Sequence, residues 1–108
     1  MVTGINSTQV KTNISNNGET CTIAVSGSFD FNLVKQFRNA YSKISPVPGK
    51  IIIDLRNAET VDSAALGMLI NMKKFLGKDD GDIQIQNCNS TIKRILSIAR
   101  FDMLFSID

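Results

Sequence analysis

The 108-residue sequence contains no histidine. A serine or cysteine nucleophile usually draws its base from imidazole, and zinc and iron sites lean on the same ring, so several common enzyme classes lose their usual parts. Cysteine is scarce as well. Cys21 and Cys88 lie far apart in a chain with no sign of secretion, which predicts reduced thiols and no bridge. Neither sign of charge is in excess: Lys plus Arg number 12 against 10 for Asp plus Glu. The basic residues are scattered, so a nucleic-acid partner is not expected. No apolar stretch approaches the length of a membrane span, no glycine-rich phosphate loop is visible, and the opening MVTGINSTQVKTN is polar with no signal-peptide core. The expectation is a cytoplasmic protein without cofactor, metal site or membrane contact.

What is present fits one small globular domain spanning residues 1–108. An apolar fraction of 43% with 20% charged residues is ordinary for a folded soluble chain, and the length supports one modest core and no second one. One site or one surface must carry the function.

Along the chain the hydrophobic period alternates between that of a strand and that of a helix. TQVKTNI and ETCTIAVSG flank SNNG, whose Asn17 and Gly18 suit a tight turn, so the pair reads as a β-hairpin. In its second arm Cys21, Ile23 and Val25 alternate with Thr22, Ala24 and Ser26, which predicts one strongly apolar face for helices to cover. From Asp30, a plausible N-cap, Leu33, Phe37, Ala40, Tyr41 and Ile44 recur at helical spacing until Pro46 stops the helix. KIIIDLRNA is a nearly continuous β-branched run, the pattern of a central strand buried on both faces. A second helix follows, then the strand DIQIQN with Ile83 and Ile85 on one side, then a third helix marked by Ile92, Ile95, Leu96 and Ala99. MLFSI closes the chain as a short last strand. The order ββαβαβα, with that final strand, predicts an α/β fold: a mixed sheet of four to five strands with three or more crossover helices.

The second helix opens with Asp62 and Ser63, either of which caps a helix well. Placing its residues at about 100° each puts Ala64, Ala65, Leu66, Met68, Leu69, Met72, Phe75 and Leu76 on one broad arc that meets the sheet. Ser63, Gly67, Asn71, Lys74 and Lys78 fall within roughly 80° on the other side. Ile70 borders that outer stripe, where an exposed isoleucine suits docking. Ser63 is then either a cap, or a hydroxyl presented outward on a rigid helix start for a partner enzyme to phosphorylate.

The run IIIDLRNAETVDSAALGML resembles the signature of STAS domains, in which a β-branched strand ending in Asp-Leu leads through a short loop to Asp-Ser or Asp-Thr and a small-residue helix start. VSGSFDFNLVKQF is similar to the family's glycine and Asp element, and IQIQNCNSTIKRILSIARFDMLFSI to its closing strand and helix. The combination of SFDF, FRNAY and DSAALGML looks most like the stand-alone anti-sigma factor antagonists that some Gram-negative bacteria use in partner switching for motility or surface attachment. The resemblance implies that Ser63 is the serine presented to a serine kinase and that Asp30 lies near the partner-binding surface. With the outer stripe of the second helix, the docking surface is expected on Asp30, Asp62, Ser63, Ala64, Gly67, Ile70, Asn71 and Lys74. The implied partners are an anti-sigma factor or serine kinase and a serine phosphatase, with the chain a monomer or weak dimer and not itself an enzyme. One departure stands out. Many antagonists have Asp-Ser-Ser-Gly-Leu-Gly or Asp-Ser-Thr-Gly-Leu-Gly, whereas Ala64 and Ala65 precede Leu66 and Gly67 here, a change expected to alter how closely a partner's backbone approaches.

Two other readings stay open at this point. Cys88, five residues, then Arg94 fits the spacing of a phosphatase loop, in which a thiolate attacks phosphorus and an arginine clamps its oxygens. The intervening NSTIK, however, has no glycine to let amides curl into an anion nest, and no general acid is placed. A non-phosphorylated interaction scaffold is the third.

Overall fold

The computed structural model describes residues 9–108. The chain runs β1 (Val10–Ser15), β2 (Thr20–Val25), β3 (Gly27–Phe29), a 3-10 turn (Phe31–Leu33), α1 (Val34–Ser42), β4 (Lys50–Asp54), β5 (Ala58–Val61), α2 (Ser63–Phe75), β6 (Ile83–Gln86), α3 (Ser90–Ile98), a second 3-10 turn (Phe101–Met103) and β7 (Ser106–Ile107). Five strands form one sheet in the order β1-β2-β4-β6-β7. β1 pairs antiparallel to β2, and the other neighbours are parallel. The mixed five-stranded sheet with three α-helices is the predicted architecture.

The predicted hairpin is present. Gly18 N–H donates to Ser15 O at 3.1 Å, and Asn16 and Asn17 between them both take positive φ. Asparagine and glycine are the residues that tolerate this backbone, which is why SNNG turns where it does. Thr8, the first residue of the predicted strand, lies outside the described residues.

Register explains the core. Cys21 stands beside Ile51 and Ile51 beside Ile83, while Ile23, Ile53 and Ile85 make the next row. All six are sealed from solvent. Onto this face α1 lays Phe37 and Tyr41, α2 lays Ala65, Leu69 and Met72, and α3 lays Ile92 and Leu96. Each large apolar side chain so buried contributes about 2 kcal/mol.

The opposite face corrects one expectation. Thr22, Ile52, Asp54, Gln84 and Gln86 are only half-buried, so β4 is central in the sheet but covered on one face alone. Its β-branched run reflects what suits a pleated strand, which Ile52 satisfies without full burial. The run is also shorter than KIIIDLRNA. At Leu55 the chain leaves the sheet, donating its N–H to Gln86 O at 2.9 Å, and Ala58–Val61 forms a separate parallel ribbon with β3.

Other departures lie at helix ends. Phe75 is 60% exposed, not on the sheet-facing arc, and rests edge-on against Tyr41 with ring centroids 5.3 Å apart. Ala99 is the exposed C-cap of α3 and no part of its buried face. Lys78 lies beyond α2, after Gly77 has turned the backbone to φ +66°, and its Nζ donates to Gly49 O at 3.2 Å instead of continuing the outer stripe. Of MLFSI only Ser106 and Ile107 are strand. Among the described residues no helix is long and apolar enough to cross a membrane.

Candidate functional site

The β3–β5 ribbon builds the site. Phe29 pairs with Val61, and Asp62 N–H donates to Phe29 O at 3.3 Å. Each strand ends one residue later in an aspartate that starts a helical turn, so two helix starts stand side by side. Asp30 Oδ1 accepts from Asn32 N at 2.9 Å, capping the 3-10 turn that runs into α1. Asp62 Oδ1 accepts from Ala65 N at 2.9 Å, capping α2. The ribbon needs a glycine where it begins: Gly27 has φ +72°, and a β-carbon there would stand 2.8 Å from Gln9 Nε2. From the other side, Asn89 caps α3 through Ile92 N at 2.8 Å while its Nδ2 donates to Ala58 O and Glu59 O of β5. Three helix starts are thereby tied to one short ribbon.

With Asp62 as the cap, Ser63 is left as the first residue of α2. It is exposed, and among the described residues no hydrogen bond engages its hydroxyl. The outward orientation of Ser63 agrees with the sequence reading, whereas the cap role belongs to its neighbour. Gly67, Asn71 and Lys74 are exposed along the same helix. Lys74 stands about 16 Å along the axis from Ser63. Ala64 is half-buried at the edge of the stripe. Ile70 is not exposed as expected; it is half-buried and packs against the core. The structure thus brings Asp30, Asp62 and Ser63 together at the strand ends, with Gly67 about one turn and Asn71 and Lys74 about two to three turns further along α2.

The departure from the family's glycine also resolves. Ala65 is fully buried, so its methyl faces the core and leaves the outer surface unchanged. Gly67 is the surface glycine of this stretch, and a β-carbon there would find nothing within 4 Å.

Electrostatics at the helix start are mixed. The first-turn amides of α2 favour an anion, while Asp62 and Asp30 oppose one. A phosphate on Ser63 would be held by the former and strained by the latter.

Around Cys88 the geometry of a phosphatase loop is not found. Ser90–Ile98 is helical, the amides of Ile92 and Lys93 are committed to Asn89, and Arg94 lies exposed on the helix. The spacing of Cys88 and Arg94 is that of a helix start and one of its surface arginines.

Sequence reading missed Phe31, which is 69% exposed at the first helix start. The signal was present as an aromatic directly after the capping Asp30, at a position the helical period does not bury.

The chain matches the family described as Mlab, STAS domain over residues 12–106. A STAS-domain containing protein of Pseudomonas aeruginosa is 39% identical over 93 residues, spanning 86% of this chain and 92% of the relative. The fold is shared with a candidate anti-sigma factor antagonist of Thermotoga maritima at TM-score 0.72 and 18% identity, covering 91% of this chain and 84% of that one. It is shared too with the anti-sigma factor antagonist SpoIIAA in its unphosphorylated form, at TM-score 0.63 and 18% identity over 82% of each chain. The phosphorylated form of SpoIIAA, from Bacillus, gives TM-score 0.66 and 16% identity over 92% of this chain and 90% of the other. On the strength of the match over residues 12–106 and the close Pseudomonas relative, the chain belongs to the STAS domain family.

Proposed function

We propose that this chain is a phosphorylation-controlled anti-sigma factor antagonist, whose surface around Ser63 binds an anti-sigma factor or serine kinase when that serine is unmodified. The observation that carries the reading is the division of labour at the helix start: Asp62 does the capping, and Ser63 is exposed with no hydrogen bond to its hydroxyl among the described residues. Asp30, Gly67, Asn71 and Lys74 complete the docking surface, and residues 1–108 act as one STAS domain in the cytoplasm.

The switch works between molecules. A phosphoryl group adds nearly two negative charges and three strong acceptors. An interface shaped around a small neutral hydroxyl must accommodate or desolvate that dianion, and each 1.4 kcal/mol of mismatch lowers affinity about tenfold. A serine phosphatase restores binding. The chain is substrate in both reactions and catalyses neither. That SpoIIAA, of the same fold, exists in phosphorylated and unphosphorylated forms supports the reading.

Incubation with each serine kinase of the partner-switching type from the same genome, followed by intact mass and peptide mapping, tests the proposal. One phosphate on Ser63, absent in Ser63→Ala, is the expected result. No phosphate under any condition leaves the scaffold reading in its place.

A further inference from the structure

We infer that Phe31 is the aromatic anchor of the docking surface: it enters an apolar pocket on the serine kinase, and phosphorylation of Ser63 weakens the complex chiefly by preventing that pocket from closing. The inference rests on Ser63 being the phosphoacceptor and adds how the partner is held.

Three observations carry it. The first is exposure against expectation, since a phenylalanine 69% open to solvent leaves a large apolar surface wet. Single exposed apolar residues are common, so exposure alone decides nothing. The second is rigidity. Phe29 and Leu33, on either side of Phe31, are 0% and 1% exposed, and the turn is fixed by Asp30, whose Oδ1 accepts from Asn32 N and whose carbonyl accepts from Leu33 N at 3.0 Å. The turn cannot roll to hide Phe31 without pulling a core residue into water. A side chain held this way loses little freedom on binding, which is what favours an anchor. The third is register. Phe31 and Ser63 each stand two residues beyond the paired Phe29 and Val61, at the two helix starts that leave the ribbon side by side. Phe31 and Ser63 are therefore neighbours in backbone position at one end of the ribbon, both exposed, and a partner engaging Ser63 is placed to meet Phe31.

The chemistry of the switch follows from that adjacency. Closing an apolar pocket over a ring removes water from its rim. A neutral hydroxyl at the rim costs little to enclose, while a dianion there resists losing its hydration, so the pocket stays open and the anchor is lost.

The test is a double-mutant cycle with the purified serine kinase that phosphorylates Ser63, loaded with ADP so that no transfer occurs. Affinities are measured by calorimetry for the full chain and Phe31→Ala, each unphosphorylated and phosphorylated on Ser63. Phe31→Ala is expected to weaken the unphosphorylated complex at least tenfold with unchanged circular dichroism, and phosphorylation is expected to cost Phe31→Ala much less than it costs wild type. Phe31→Leu should recover most of the binding. Ile98→Ala, which removes a side chain 75% exposed at the far end of α3, should bind like wild type. Binding of Phe31→Ala within twofold of wild type, or strictly additive effects, overturns the inference while leaving the switch at Ser63 standing. A wild-type chain that binds equally well with and without the phosphate overturns the proposed function, and this inference with it.

Discussion

At positions 62 and 63 two residues able to cap a helix stand next to each other, and only Asp62 does so. Asp62→Ala should therefore cost about 1 kcal/mol of stability. Ser63→Ala should stay within about 0.5 kcal/mol of wild type. Urea unfolding of both variants checks the pair, and a Ser63→Ala loss as large as that of Asp62→Ala would show the hydroxyl to be structural after all. Cys21 offers a second prediction at this scale. Burial in the β2 face of the core pushes its thiol above the ordinary value of 9.0. Once the pH rises past 9.0, the unfolded thiol ionises while the folded one stays protonated, so the unfolded state binds fewer protons and stability falls. Cys21→Ala should lose that part of the alkaline decline. In the folded protein a maleimide should modify half-buried Cys88 long before Cys21, and equal rates at both would contradict the burial.

Within α2, Gly67 sits in mid-helix with nothing within 4 Å of where a β-carbon would go. Nothing in the fold asks for glycine there. Gly67→Ala should raise stability by about 0.5–1 kcal/mol through helix propensity alone, seen as a higher urea midpoint at unchanged slope. The same variant should bind the kinase more weakly, because the added methyl would stand on the proposed docking face. A variant neither more stable nor weaker in binding would mean the position is silent. How legible α2 was in the sequence follows from the same geometry. A 100° projection finds Ala65, Leu69, Met72 and Leu76 correctly because they fall in the middle of the arc, but it places Phe75 inward although it stands at the arc's edge, 60% exposed, with its ring against Tyr41. The β3–β5 ribbon escaped notice for another reason. Three- and four-residue strands are too short for a period to show, and Gly27 reads as a break. Yet that ribbon sets Asp30 and Phe31 beside Asp62 and Ser63, so the members of the site were legible one by one while their adjacency, and Phe31 with it, was not.

For the molecule as a whole, the proposed switch raises the question of whether a phosphate on Ser63 would act through overall charge or through the interface. The chain carries formal net charge +2, and a phosphate contributes nearly −2 at neutral pH, so modification brings the net charge close to zero. If the kinase surface were simply anionic, that change alone would weaken association, mostly by slowing encounter. Such an effect fades as salt rises, because the screening length falls from about 10 Å at 0.1 M to about 3 Å at 1 M. A dianion trapped at the rim of a closing pocket behaves differently: its cost is desolvation, which added salt hardly relieves. The ratio of affinities between unmodified and Ser63-phosphorylated chain should therefore persist, within about threefold, as sodium chloride rises from about 0.1 M to about 0.5 M. The difference should also lie mainly in dissociation rate, and Ser63→Asp, with one charge and a shorter reach, should reproduce only part of it. Stopped-flow association and dissociation at the two salt concentrations measure both quantities. A ratio that collapses toward one in high salt, carried by the association rate, would place the switch in the long-range field of the protein and away from the contact around Ser63.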